Sequence, residues 1–293
     1  MISQGEKEER VKFRIGKLSY LNNAPMYYAL DRNLSSLAGR YEIVEGPPSH
    51  LNQCIRQKKI DLTVASSIVY ARNFEHYAIL PDLSIGSDGP VKSVLLVSRV
   101  PMERLDKQPL LLTSDSETSV ALVKILLSQR GVEPVYVRGN VLQGIKGDSC
   151  FPPDYAAFLI IGDSALLLRE KGSYPFIYDL GGEWKKMTGL PFVFALWIVR
   201  QEAFYLHGEL VFQIWQALCA SRHYSLTHPE EFIASVRTPA ELSKEVCLRY
   251  IQKDLRYELS ARYREGLIMY YRFLYELGEI HQPVQELNLL SRQ

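Results

Sequence analysis

The order of its local patterns constrains this chain more than any single residue does. Short apolar strands alternate with helices in two successive blocks, and a wholly helical stretch closes the sequence. In the first block Val11, Phe13 and Ile15 alternate as a strand does, residues 19–24 form a polar turn, and Pro25 opens a helix through MYYALDRNL. Proline suits the first helical turn because it lacks an amide hydrogen that would be unpaired there. Residues 41–45 predict a second strand, 49–59 a helix and 60–65 a third strand. Such alternation builds an α/β fold with parallel pairing.

A long strand over 91–97 follows the turn at 86–90, and the alternation then restarts. Strands are predicted at 110–113, 135–137, 156–161 and 176–178, with helices at 118–129 and 164–170. The strand 192–199 ends this block, and residues 202–222, 229–235, 239–253 and 260–278 read as helices. In the last of these Tyr263, Leu267, Tyr270, Tyr271 and Leu274 recur every three or four residues, which makes one face apolar. A chain that crosses into a second lobe and returns would show two blocks joined by two long strands. The first lobe is therefore expected at 1–97, the second at 98–195 and the mostly helical return at 196–293, with a single doubly wound sheet as the alternative. Clefts between two lobes collect loops and helix N-termini from both sides, which favours a small ligand there.

Composition removes other classes. The 34 Lys and Arg balance 33 Asp and Glu to a net charge of +1, so the electrostatic footprint of a nucleic-acid binder is missing. With 47% apolar residues, among them 18 Tyr and 11 Phe, the 293-residue chain can bury a core. Cys54, Cys150, Cys219 and Cys247 show no CxxC spacing and are expected as reduced, buried or half-buried thiols. The first ten residues, MISQGEKEER, hold no apolar core, and the longest apolar run, residues 190–199, falls short of a membrane span. A cytoplasmic protein with no membrane partner is the expectation.

Familiar fingerprints are absent: there is no GxxxxGK[ST], GxGxxG or HExxH, and the six histidines are scattered, so no metal site is expected. The string Gly162-Asp163-Ser164-Ala165-Leu166 lacks the closing glycine of a nucleophile elbow, and Ser164 reads as a helix start. What remains are polar turns at strand ends. Residues 19–25 and 114–119 each lead from a strand into a helix, and at 114–119 hydroxyls and unpaired amides can hold a carboxylate. Asparagine and serine there serve equally as helix caps, and Asp115 and Glu117 would have to point away from an anion. Gly162-Asp163 ends another strand, and residues 89–93 place the Ser93 hydroxyl beside a crossing strand. Together the four turns suggest an anionic small molecule between the lobes. Lys92 and Arg14 are candidates to add charge, and Trp184 and Trp197 are candidates either for the wall or for the core.

At these turns the sequence resembles the chorismate dehydratase family of the futalosine route to menaquinone. The matching strings are KLSYLNNAP (17–25), LPDLSIGSDGPVKSVLLVS (80–98), SDSETSVALVKILL (114–127), LIIGDSALL (159–167) and YDLGGEWKKMTGLPFVFALW (178–197). They stand in order across most of the first 200 residues, while DLRYELS at 254–260 fits more loosely and 138–155 does not align. The resemblance implies an α/β, two-lobed type 2 periplasmic-binding-protein-like fold with a helical C-terminal tail. It implies a hydro-lyase that removes water from chorismate to give 3-[(1-carboxyvinyl)oxy]benzoate, with no cofactor. The sister enzyme that makes 1,4-dihydroxy-6-naphthoate carries a first turn of the S-P-C-P-N-D type, unlike residues 19–25 here. A non-catalytic carboxylate-binding protein of the same fold is the other alternative.

The resemblance points to Asn22 and Ser93 as the polar pair at the reacting edge of the ring. It implies that Thr118 and Ser119 hold a substrate carboxylate, that Gly162 and Asp163 flank the ring from the second lobe, and that Leu21, Phe192 and Val193 complete the pocket. Losing the C3 proton and the C4 hydroxyl makes the chorismate ring aromatic, so the protein mainly has to orient substrate and stabilise developing charge. No base is evident in the sequence, and proton acceptance would then fall to the substrate's own enolpyruvyl carboxylate.

Overall fold

A computed structural model describes residues 12–30, 37, 39–141, 151–172 and 174–291. The first block forms β1 (Phe13–Lys17), α1 (Ala24–Tyr27), β2 (Tyr41–Glu45), α2 (Pro48–Arg56), β3 (Leu62–Ser66), α3 (Ser67–Arg72) and β4 (Tyr77–Ser87). The second forms β5 (Val94–Ser98), β6 (Pro109–Thr113), α4 (Glu117–Ser128), β7 (Val135–Gly139), β8 (Ala157–Ile161), α5 (Gly162–Lys171) and β9 (Phe176–Asp179). The return begins with α6 (Leu180–Thr188) and β10 (Phe192–Arg200) and continues through α7 (Gln201–Thr227), α8 (Pro229–Ser235), α9 (Lys244–Arg249) and α10 (Ala261–Glu276). Val11, residues 31–34 of the expected first helix, Cys150 and residues 142–150 lie outside the described residues.

Two five-stranded mixed sheets build two lobes. The first has the order β2-β1-β3-β10-β4 and the second β7-β6-β8-β5-β9. In each, four strands run in one direction and the strand arriving from the other lobe is inserted antiparallel: β10 between β3 and β4, and β5 between β8 and β9. Departing and arriving strands are thus neighbours in both sheets, which brings the two crossings side by side. The expected boundaries at 97/98 and 195/196 fall inside β5 and β10. Each of these strands pairs along its length within one sheet, and the crossings themselves are residues 88–93 and 180–191.

Three elements have no counterpart in the sequence pattern: α3, which follows β3 directly, β4 and α6. β4 carries Pro81 and Asp82, which interrupt its alternation; its pairing with β10 slips between Leu196/Ile198, opposite this dipeptide. A proline is tolerated on an edge strand at such an irregularity because no ladder hydrogen bond is lost. Helix α6, in the second crossing, is only nine residues long. The helix expected at 239–253 is shorter: Ser243 caps α9, accepting from Val246 N–H at 3.2 Å, and a π-turn occupies Tyr250–Asp254. The apolar face expected on α10 is buried as a whole, Leu267, Tyr270, Tyr271 and Leu274 being fully enclosed. Cys54 and Cys247 are buried, Cys219 half-buried, and all three are free thiols.

The crossings are tied by one carboxylate. Asp179 Oδ1 accepts from Val91 N–H and Gly182 N–H at 2.9 and 3.1 Å, and Oδ2 accepts from Lys92 N–H at 2.7 Å. The same side chain caps α6, so it satisfies a helix terminus and pins the first crossing at once. Gly181 is required for this approach, since a Cβ there would stand 2.6 Å from the Gly89 carbonyl oxygen. The string Y-D-L-G-G is therefore the chemistry of two backbones meeting. Farther out, Glu117 of the second lobe pairs with Arg56 at 2.9 Å and Arg72 at 2.6 Å in the first, and Arg72 and Lys124 share Glu279.

Candidate active site between the lobes

Between the sheets lies a cleft of about 620 Å³ of atom-free space, open solvent at its mouth included, at the kind of inter-lobe position where small ligands bind. The turn after β1 enters it first. Residues Leu21–Asn23 form one 3-10 turn, closed by Asn23 N–H donating to Tyr20 C=O at 3.0 Å, and Pro25 stands in the first turn of α1. Neither asparagine side chain caps that helix. Instead Asn23 Nδ2 donates to Asn22 Oδ1 at 2.7 Å. With its carbonyl oxygen occupied, Asn22 presents its amide N–H groups, and its half-buried side chain lines the cleft.

Ser93 reaches the same cleft from the end of the first crossing. Lys92 holds a left-handed backbone (φ 68°), an unusual conformation for a residue with a Cβ, and the two Asp179 bonds hold the turn in place. Ser93 is almost fully buried, and its carbonyl accepts from Gly162 N–H at 2.8 Å. Gly162, at φ +66°, turns the end of β8 into α5 beside it. Asn22, Ser93, Ser119 and Gly162, expected at the site, therefore all line one cavity. Ser116 caps α4, accepting from Ser119 N–H at 3.1 Å, and also lines the cleft.

Other expected residues stand elsewhere. Thr118 is fully buried against the first lobe: its Oγ1 accepts from Ile68 N–H at 3.2 Å and lies 3.3 Å from Ser67 Oγ. Tyr270 Oη donates to its carbonyl, so the first turn of α4 is clamped by α3 and α10 and the hydroxyl is used for packing. Phe192 packs edge-on against Trp184, Phe194 and Tyr270, and the Val193 carbonyl accepts from Ser67 Oγ. Phe194 and Ala195 line the cleft in their place. The pairing of β10 with β4 shifts between Val193 and Ala195, and a bulge of this kind re-aims side chains. Leu21 is buried beneath the turn and offers its backbone N–H to Asp163. Trp184 and Trp197 belong to the core, and Arg14 pairs with Asp61 at 3.0 Å.

Asp163 lines an outer vestibule with Tyr20, Glu45 and Arg237 rather than the inner cleft. Burial pushes its carboxyl up to about 6, and the hydrogen bond from Leu21 N–H only partly offsets this. Tyr20, between vestibule and cleft, is pushed up to about 12 by burial and by the charges of Asp115 and Asp163. No Lys, Arg or His lines the inner cleft among the described residues. Its polar inventory is amide and hydroxyl donors plus the Asp115 carboxyl, while Glu117 of the same turn points away to its two arginines.

The Asp163 shift carries a pH prediction. An acid whose folded-state pKa lies above its unfolded value contributes stability that is complete below about pH 4 and is lost as pH rises through about 6. Asp163→Asn, which keeps an acceptor for Leu21 N–H, is expected to remove that slope and to gain about 1–3 kcal/mol relative to wild type at pH 7.5. Denaturant unfolding of both proteins at pH 4.5 and 7.5 checks this; an equal change in the two would show that Asp163 titrates normally.

Sequence reasoning missed Tyr250 and Leu255. Leu255 lines the cleft, and Tyr250 Oη donates to Ser93 Oγ at 2.7 Å. Both come from the helical tail, where nothing local marks them. Tyr20 and Asp115 stand in polar turns that the sequence marks, whereas Ser66 is the last residue of β3, where it runs directly into α3.

Comparison with known proteins agrees with this architecture. Residues 13–276 match the family described as menaquinone biosynthesis. A chorismate dehydratase of Thermus thermophilus is 32% identical over 203 residues, 64% of this chain and 70% of that protein. A chorismate dehydratase of Campylobacter jejuni is 32% identical over 193 residues, 65% of this chain and 69% of that one. Among solved structures, protein AF1704 of Archaeoglobus fulgidus superposes with a TM-score of 0.74 at 18% identity, over 94% of this chain and 100% of that one. The alkanesulfonate-binding protein SsuA of Xanthomonas axonopodis superposes at 0.69 and 15% identity, over 94% and 96%, so the fold is that of the type 2 periplasmic binding proteins. Among the described residues no helix is long and apolar enough to cross a membrane. A match along nearly the whole described chain, together with two relatives at this identity, makes the chain a member of the menaquinone-biosynthesis family.

Proposed function

We propose that this protein removes water from chorismate to give 3-[(1-carboxyvinyl)oxy]benzoate. The observation that carries the proposal is the meeting of Asn22 and Ser93, 71 residues apart in sequence, at one cleft between the lobes in a chain whose relatives are chorismate dehydratases. Chorismate is a dianion, and hydroxyls, amides and the α4 N-terminus can receive its carboxylates without a buried cation. Val64, Ile85 and Phe194 supply apolar walls for the ring.

In the proposed reaction the C3–H and C4–O bonds break and a C3–C4 π bond completes the aromatic ring. The Ser93 hydroxyl donates a hydrogen bond to the departing C4 hydroxyl, and the Asn22 amide holds the ring edge. The enolpyruvyl carboxylate, attached to C3 through its ether oxygen, accepts the C3 proton, which joins the departing hydroxide as water. The acid in the cleft that could compete for that proton is Asp115. Asp115→Asn is expected to retain turnover within about tenfold; abolished turnover with intact binding would transfer the base to the protein.

The deciding assay mixes purified, metal-stripped protein with chorismate and follows ultraviolet absorbance with mass detection. Aromatic product lighter than substrate by one water, formed in proportion to protein concentration, is the expected result. Saturable binding without turnover would instead indicate a carboxylate-binding protein. Neither binding nor turnover would move the substrate elsewhere in the family.

A further inference from the structure

We propose that Tyr250 is the positioning residue for Ser93, fixing the serine hydroxyl as a donor into the cleft. This rests on the reading of Ser93 given above. Tyr250 Oη donates to Ser93 Oγ at 2.7 Å, and both residues are almost completely buried, 1% and 2% exposed. A serine hydroxyl carries one proton and two acceptor positions. Once Tyr250 occupies an acceptor position, the serine proton has no other acceptor among the described residues and is left to donate to whatever fills the cavity that Ser93 lines. The bond also stops the hydroxyl from rotating away, which is the form of preorganisation that electrostatic catalysis needs.

The tail is built to place this phenol. Tyr250 opens the π-turn Tyr250–Asp254, closed by Leu255 N–H donating to Tyr250 C=O at 3.0 Å; turns of this type are frequent at functional sites. The chain then runs along β4: Gly86 and Arg256 exchange two hydrogen bonds of 2.8 Å, and Ser84 N–H donates to Tyr257 C=O at 2.9 Å. Pairing to that sheet edge brings Leu255 to the cleft wall and holds Tyr250 beneath Ser93, 157 residues away in sequence. Burial pushes the phenol far up, outweighing the opposite pull of its bond to Ser93, so it stays a protonated donor at neutral pH.

The test is a double-mutant cycle on wild type, Tyr250→Phe, Ser93→Ala and the pair, measuring kcat and KM for chorismate, with a crystal structure of Tyr250→Phe. Phenylalanine keeps the ring that fills the core, so only the hydroxyl is removed. Tyr250→Phe is expected to lower kcat about 10- to 50-fold with KM within about twofold, and to cost less than about twofold when Ser93 is already alanine. Its structure should show Ser93 Oγ in a second rotamer or in several. Tyr257→Phe serves as the control, because its equally buried hydroxyl has no partner among the described residues; its kcat should stay at the wild-type value. Equal losses from Tyr250→Phe with and without Ser93, or no loss, would overturn the proposal. If wild type leaves chorismate untouched, the substrate reading fails, and the structure then decides separately: an unmoved Ser93 rotamer in Tyr250→Phe overturns the positioning role.

Discussion

Asn22→Ala and Ser93→Ala are each expected to lower kcat on chorismate by about two to three orders of magnitude. A donor aimed at charge that develops in the transition state, in a site closed to water, is worth about 2–4 kcal/mol. On the proposed reading both groups are donors of this kind. Ser93 is buried with its acceptor side taken by Tyr250, and Asn22 has its carbonyl taken by Asn23, so each has donors left for the cleft. Neither loss should unfold the protein. Asn22 caps no helix, but Asn22→Ala leaves the buried Asn23 Nδ2 without its acceptor, at a cost of about 1–3 kcal/mol. Ser93→Ala orphans the Tyr250 hydroxyl, at a cost of about 1–3 kcal/mol, and thermal unfolding should be measured beside the kinetics. Combining the two should cost less than the sum of the single losses, since they serve one transition state. Wild-type kcat in both variants would place the reacting edge elsewhere in the cleft.

Gly266→Ala is expected to destabilise the fold by about 3 kcal/mol or more, lowering Tm by about 6–10 °C. Gly266 lies on the buried face of α10, and a Cβ there would stand 2.2 Å from the Pro191 carbonyl oxygen. That oxygen belongs to backbone at the start of β10 and already accepts from Trp184 Nε1 at 3.1 Å. Moving it would strain the strand and leave a fully buried indole N–H without its partner. Gly208→Ala in α7 is the contrast. Its Cβ would meet only the Phe204 ring, at 3.5 Å, and it follows the non-helical kink at His207 (φ −134°), so stability should stay within about 0.5 kcal/mol of wild type. Equal Tm values for wild type and Gly266→Ala would mean that α10 can ride off β10 without loss.

The return crossing shows how a motif can be legible before its cause is. In T-G-L-P-F, Thr188 Oγ1 accepts from Leu190 N–H at 3.1 Å and donates to Trp184 C=O at 2.9 Å. Gly189 ends α6 in the left-handed region at φ +74°, and Pro191 offers the carbonyl that Trp184 uses. These residues stop a helix and start a strand, and they do so through bonds within a few positions of one another. That locality is why the string can be recognised in the sequence at all. β4 is the opposite case: Pro81 and Asp82 obscure a strand whose existence depends on β10, more than a hundred residues away.

Local chemistry by itself determined the alternation of strands and helices, the two-lobed plan, the apolar face of α10 and the polar turns that carry Asn22, Ser93, Ser119 and Gly162. Each follows from side-chain periodicity or from the conformational needs of a turn, which neighbouring residues settle among themselves. Tertiary structure alone decided which of those groups face the ligand cleft. Thr118 was drawn into packing because α3 and α10 close on the first turn of α4, and a bulge in β10 turned Phe194 and Ala195 inward where Phe192 and Val193 were expected. Tyr250 reached Ser93 only because the tail pairs with the edge of β4. A side chain's face depends on register and on partners distant in sequence, and those are set when the sheets assemble.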